Sequence, residues 1–296
     1  MKHVIRHQGH FDYKGRPVRY WFWSNTTDTR PPDVVIFLGA GQTGAISRMV
    51  ARQAGSGVIV VGGVPHWHTT TNAQDIEDFT LLYFEHTYRS ILTTFQSSSM
   101  HIVAESQAAP IAIILAGKLK EVQNLSLIRP LGFSVEAFGA TVEARLKTFT
   151  KRILRTSLQY PQSFIYDPRN LVIALIQIRA MAREKSLRVL RKKYGVGISY
   201  NALQDMLRAV KARQAAGHSI SFILGAKDKM FPPAEILAAL KSLGISGVHI
   251  TVLPGVSHSS LATRSSRKVL ATALDAVRQP KLQQDRVVSR IDEHLV

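Results

Sequence analysis

The chain has 296 residues, 45% of them hydrophobic, enough for one large domain or a domain carrying an insertion. It has no cysteine, which excludes disulfides, thiolate metal sites and a cysteine nucleophile. Lys and Arg number 38 against 20 Asp and Glu, a formal net charge of +18, and such a balance attracts nucleic acid, acidic lipid or acidic protein alike.

The opening MKHVIRHQGHF lacks the apolar centre of a secretory signal, and no stretch of about 18 apolar residues is free of charge. We expect a soluble, cytoplasmic protein. The segments HVIRHQGHFDY and RPVRYWFWSN alternate apolar with polar on either side of Lys-Gly and predict an N-terminal β-hairpin. DVVIFL then reads as a strand, FLGAGQTGA as a glycine-rich turn and AISRMVARQA as a helix. GVIVVGG, rich in Val and Ile, is a second buried strand. Residues 75–95 have helical apolar spacing, with Phe79, Leu82, Tyr83 and Phe84 on part of the buried face. MHIVAE is a short strand, QAAPIAIILAGKL a helix and NLSLIRP another strand. Towards the C-terminus come the strand HSISFILGA, a helix opened by two prolines (PPAEILAALKSL), the strand GVHITVLPG and the helix SSRKVLATALDAVRQ. Strand and helix alternate after an antiparallel start, so we expect an α/β protein with a mostly parallel sheet.

Residues 132–215 break that rhythm, with helical segments and no clear strand. They read as a helical insertion between sheet strands, which leaves 1–131 and 216–296 as the core. Between 143 and 213 there are 16 Lys or Arg against 4 Asp or Glu, so most of the excess charge sits in the insertion. Not all of it can be buried, and a solvated basic face is open to an anionic lipid or an acidic partner. No recognition-helix or stacking motif accompanies the charge, so nucleic acid is not the expected partner.

Gly39, Gly41 and Gly44 fit the G-x-G-x-x-G pattern of a dinucleotide turn. That site also needs an acidic residue ending the next strand, and here the strand ends in glycines followed by VPHWH. No Lys-Ser or Lys-Thr pair makes it a phosphate loop. The nucleotide reading is rejected. His66 and His68 lack a third ligand for a metal site, so neither a metal nor a cofactor is expected.

Ser106 in IVAESQAAP stands between a strand and a helix, with the small residues Ala104 and Ala108 two positions to either side. A serine on such a sharp turn needs small neighbours, because strand and helix pass close together there. Asp228 in GAKDK and His258 in GVSHSS each follow a later strand. In a parallel sheet the carboxyl ends of the strands share one edge, so the three can converge. Asp228 has a rival reading as a surface ion-pair residue between Lys227 and Lys229. Glu105 should point to the opposite side of the strand from Ser106, as a structural partner.

In the order and spacing of these blocks the chain resembles the α/β-hydrolase family. The resemblance spans nearly the whole sequence: hairpin, glycine turn, AESQA elbow, LIRPLGF before a helical lid, GAKD loop and GVSH loop. It implies the α/β-hydrolase fold, a mostly parallel central sheet flanked by helices with an inserted helical lid. It implies Ser106 as nucleophile, His258 as base and Asp228 as acid; some family members take the acid after an earlier strand, where Glu136 lies nearby. The glycine turn would supply an oxyanion-hole amide from Ala40, with Gly41 as runner-up, and Gln107 would supply the other. Leu38 stands where the family usually has histidine. Trp67 and Gly41 are candidates for the acyl pocket. The expected reaction is hydrolysis of a small acyl substrate (ester, thioester or lactone) through an acyl-enzyme. The alternatives are an acyltransferase with the same residues, or an inactive hydrolase-fold binding protein for an anionic partner.

Overall fold

The computed structural model describes residues 4–25, 31–39, 42, 44–63, 73–131, 133 and 200–280 without 265, and the isolated positions 148, 151, 152, 155 and 172. The strands are β1 (Val4–Tyr13), β2 (Arg16–Asn25), β3 (Val34–Phe37), β4 (Val58–Val61), β5 (Met100–Glu105), β6 (Val122–Ile128), β7 (Ile220–Gly225) and β8 (His249–Leu253). The helices are α1 (Gly44–Ala54), α2 (Ala73–Thr94), α3 (Ala108–Lys118), α4 (Tyr200–Ala215), α5 (Pro233–Ser242) and α6 (Arg267–Arg278). All eight strands form one sheet in the order β1-β2-β4-β3-β5-β6-β7-β8.

The hairpin forms where alternation predicts it. Tyr13 pairs with Arg16 across a two-residue turn. Lys14 and Gly15 both take positive φ, 52° and 74°, the turn whose twist matches that of the flanking strands. Tyr20 on β2 donates its hydroxyl to Ser90 Oγ at 2.7 Å, and Phe11 stacks on His86 at 4.5 Å, so the hairpin docks on α2. β2 runs antiparallel to β1 and to β4, and the pairs from β4 through β8 are parallel.

The central strands are buried on both faces, which is why they read as unbroken apolar runs. Their side chains still divide by alternation. Val34, Ile36, Val58 and Val60 pack with Ile46 and Val50 of α1 and with Val269 and Leu270 of α6. Val35, Phe37, Ile59 and Val61 face the other layer, built on Tyr83 of α2, Ile113 of α3, Met206 of α4 and Ile236 of α5. The result is a sheet between two helical layers, with the carboxyl ends of the parallel strands along one edge. No helix among the described residues is long and apolar enough to cross a membrane.

α4 lies within the stretch that sequence reading assigns to the insertion, and it packs against α3 on the core. Met206 and Val210 are buried in the same cluster as α3. Arg213 is buried too, donating to the carbonyls of Ala116 (2.9 Å) and Gln123. Residues 134–147 and 173–199, with most of the predicted lid, lie outside the described residues. Arg152 of the insertion is described. It makes a two-pronged ion pair with Glu235 at 2.9 and 3.0 Å and donates to the Met230 carbonyl at 2.8 Å.

Candidate active site

β5 is held between β3 and β6, and it ends at Glu105. The next residue, Ser106, takes φ 52°, in the left-handed region that costs a non-glycine residue on the order of 1–3 kcal/mol. Three main-chain bonds hold it there. Its N–H donates to Ile128 O at 2.9 Å, and its carbonyl accepts from Ala109 N and Leu131 N, each at 3.1 Å. Its small neighbours Ala104 and Ala108 are both buried in the core. Ser106 itself remains partly exposed at the sheet edge.

Gly39 comes close to this residue. A Cβ on Gly39 would lie 3.2 Å from both Ser106 Cβ and the Glu105 carbonyl, and 3.7 Å from Gln107 N, so a side chain at 39 would crowd the elbow and shift it by a few tenths of an ångström. Gln107 precedes the first residue of α3, and its N–H has no hydrogen-bond partner among the described residues, as is usual for the first amides of a helix. Ala40, Gly41 and Trp67 lie outside the described residues, as do His66, His68 and Glu136.

Asp228 and His258 are brought together. Asp228 is 3% exposed while Lys227 and Lys229 on either side are exposed, so Asp228 is not a surface ion-pair residue. Its Oδ1 accepts from Met230 N at 2.8 Å and from Phe231 N at 2.9 Å. Its Oδ2 lies 2.9 Å from His258 Nδ1. A carboxylate can only accept, so His258 donates through Nδ1. Phe231 packs edge-on against the His258 ring at 5.1 Å and limits its tilt.

Burial alone would raise the Asp228 carboxyl. The charge and hydrogen bond of His258, with the charge of Arg129 and the Phe231 N–H, outweigh it and hold the carboxyl below its usual value. The sign of the stability effect follows. A depressed folded value stabilises the protein fully above the unfolded carboxylate value of about 3.9, and that stability is lost as pH falls through the lower folded value. The gap in urea midpoint between wild type and Asp228→Asn should therefore be full at neutral pH and close in acid. A gap independent of pH would contradict this.

The loops that carry Asp228 and His258 touch through their backbones. Ala226 N donates to Leu253 O at 3.0 Å, and Lys227 N donates to Val256 O at 2.8 Å. A Cβ on Gly225 would meet the Val256 carbonyl at 2.6 Å, closer than such atoms can come. Gly225→Ala should push the loops apart, lower stability by about 1–3 kcal/mol as over-packing does, and loosen the Asp228–His258 pair. A denaturation midpoint equal to that of wild type would show that the loops have room to give.

Sequence reading missed Arg129, Gln42 and Ser260. Glu105 is buried and paired, in keeping with a structural partner. It pairs with Arg129 at 2.6 Å and accepts from Gln42 Nε2. Ser260 donates to Gln42 Oε1 at 3.2 Å, and Arg129 donates to Ser257 O at 2.8 Å. A visible signal was the single cation in the apolar run LSLIRP.

No family model matches the sequence. No curated protein matches it either. Solved structures do. A 2-hydroxy-6-oxo-6-phenylhexa-2,4-dienoate hydrolase from Rhodococcus superposes with a TM-score of 0.61 at 16% identity, over 93% of this chain and 99% of that one. A haloalkane dehalogenase from Bradyrhizobium elkani gives 0.57 at 15% identity, over 91% and 98%. The thioesterase domain of the curacin biosynthetic pathway gives 0.56 at 14% identity, over 91% and 99%. The chain has the α/β-hydrolase fold: a mostly parallel sheet with an antiparallel hairpin at one edge and helices on both faces.

Proposed function

We propose that the chain is a serine hydrolase that cleaves an ester-type substrate (ester, thioester or lactone) through an acyl-enzyme on Ser106. The observation that carries this reading is the Asp228–His258 hydrogen bond, at the sheet edge where Ser106 stands on a positive-φ turn. A serine hydroxyl is a weak nucleophile at neutral pH and needs a base whose tautomer is fixed. The Asp228 contact leaves His258 Nε2 as that base.

In this reading Ser106 Oγ bonds to the substrate carbonyl carbon as His258 Nε2 takes its proton. The carbonyl oxygen becomes an oxyanion, held by the main-chain amides of Gln107 and Ala40, each worth about 3–4 kcal/mol in such a role. Collapse of the adduct expels the alcohol or thiol, which takes the proton from His258. Water then attacks the acyl group and gives a proton to His258. Ser106 departs with that proton. Trp67 and Gly41 are assigned to the acyl pocket, and the basic insertion to an anionic lipid or acidic partner.

Neighbours named as a thioesterase and a dienoate hydrolase support hydrolysis. A neighbour named as a haloalkane dehalogenase shows that the fold alone leaves the scissile bond open. The test is a panel of chromogenic esters and acyl-thioesters of graded chain length, with Ser106→Ala as control. At least one class should be cleaved by wild type only. Competing alcohols and amines in the same assay separate hydrolysis from acyl transfer: an acylated acceptor in place of free acid would move the assignment to an acyltransferase.

A further inference from the structure

A buried polar chain runs behind the reacting edge, and the chemistry just described does not use it. At its centre Glu105, the last residue of β5, pairs with Arg129, the first residue past β6. Their side chains are 2% and 1% exposed. From Glu105 the chain continues to Gln42 and on to Ser260 Oγ. From Arg129 Nη1 it continues to the Ser257 carbonyl. Every end therefore lies next to a group of the site. Glu105 precedes Ser106, Ser257 precedes His258, Ser260 follows it by two positions, and Gln42 directly follows Gly41 in the sequence.

Simple cross-bracing accounts poorly for this choice of residues. A buried ion pair is rarely more stabilising than apolar side chains of the same volume. Arg129 also takes φ 46°, so backbone strain like that at Ser106 is accepted in order to aim it. Its N–H bonds to Ile223 O at 2.9 Å, which fixes it to β7 as well as to β5 and to the loop after β8. A planar guanidinium with donors in a fixed fork sets the separation of the groups it bridges, which a flexible ammonium does not. Among the described residues, His258 and Arg129 are the charged groups that act on Asp228, and Lys227 and Lys229 face outward.

We propose that Arg129, with Glu105 and Gln42, is the positioning unit of this site. It sets the distance of the His258 loop and of Gly39 from Ser106, and it supplies the field in which the Asp228–His258 pair works. None of the three is assigned contact with substrate, so none is a catalytic residue. The inference rests on the assignment of Ser106 as nucleophile.

The experiment is the rate of covalent labelling by a fluorophosphonate, measured across pH on the full chain. The variants are Glu105→Gln, Arg129→Met, Arg129→Lys and the double Glu105→Gln/Arg129→Met, each checked for fold by circular dichroism. Wild type should take one label at Ser106. Arg129→Met leaves a buried carboxylate unopposed, favours the imidazolium and should move the acid limb of the profile to higher pH. Glu105→Gln leaves a buried cation unopposed and should move it to lower pH. The double variant and Arg129→Lys should return the midpoint towards that of wild type while the rate stays depressed, by up to about 100-fold if the groups shift by ~1 Å. A merely structural role predicts one fixed midpoint and rates that follow the folded fraction. That result overturns the proposal. If the single variants lose their fold, the charge-neutral double variant decides alone: a folded double variant with the wild-type rate refutes the positioning role. Failure of wild type to label at Ser106 is a different outcome, and it removes the nucleophile assignment on which the inference stands.

Discussion

Ser106→Ala is expected to lower turnover by about a millionfold, the scale of loss when a serine nucleophile is removed from an otherwise intact site. It should also abolish fluorophosphonate labelling. The three hydrogen bonds that hold the turn at Ser106 all use its main chain, so alanine can keep them. Alanine also has the same Cβ at φ 52°, so the backbone strain is unchanged. Stability should stay within about 0.5 kcal/mol of wild type, as for a substitution that breaks no buried partner. The combination is diagnostic, because a folded protein without activity isolates the hydroxyl. Intact mass should show one adduct on wild type and none on the variant. Full labelling of Ser106→Ala would remove this residue from the reaction.

The layers of the fold were legible because period and burial are sequence properties. Alternation around Lys14–Gly15 marked the hairpin, and uncharged runs such as VVIF and VIVV marked strands covered on both faces. Chain order was enough to bring Asp228 and His258 to one edge, since parallel strands put their carboxyl ends together. Other features depended on which strands are neighbours. Glu105 and Arg129 are 24 positions apart and meet only because β5 and β6 pair with Glu105 opposite Ile128. Nothing local in either segment states that register. The same holds for α4. Its sequence carries both apolar and basic residues, so it reads as more of the basic insertion. Its place is decided by Met206 and Val210 against the core and by Arg213 satisfying carbonyls at the end of α3 and on β6. A buried arginine spent on carbonyls cannot be told from a solvated one by composition.

Asp228→Asn is expected to lower kcat/KM by about 10⁴-fold while the protein remains folded. The argument is local. Asparagine keeps an oxygen that can accept from Met230 N and Phe231 N, so the loop after β7 retains its two main-chain bonds. The atom facing His258 Nδ1 then becomes an NH2 group, which only donates. His258 can meet it only by presenting the Nδ1 lone pair, and the ring proton moves to Nε2, where the base must be free. The ring is held in the wrong tautomer, and the charge that would stabilise the imidazolium is gone. Some stability is lost with that charge, so the assay compares folded fractions fixed by circular dichroism. Glu136→Gln tests the rival acid in the same assay and should remain active. Near-wild-type activity in Asp228→Asn, together with a dead Glu136→Gln, would reassign the acid and leave the Asp228–His258 hydrogen bond as a structural contact.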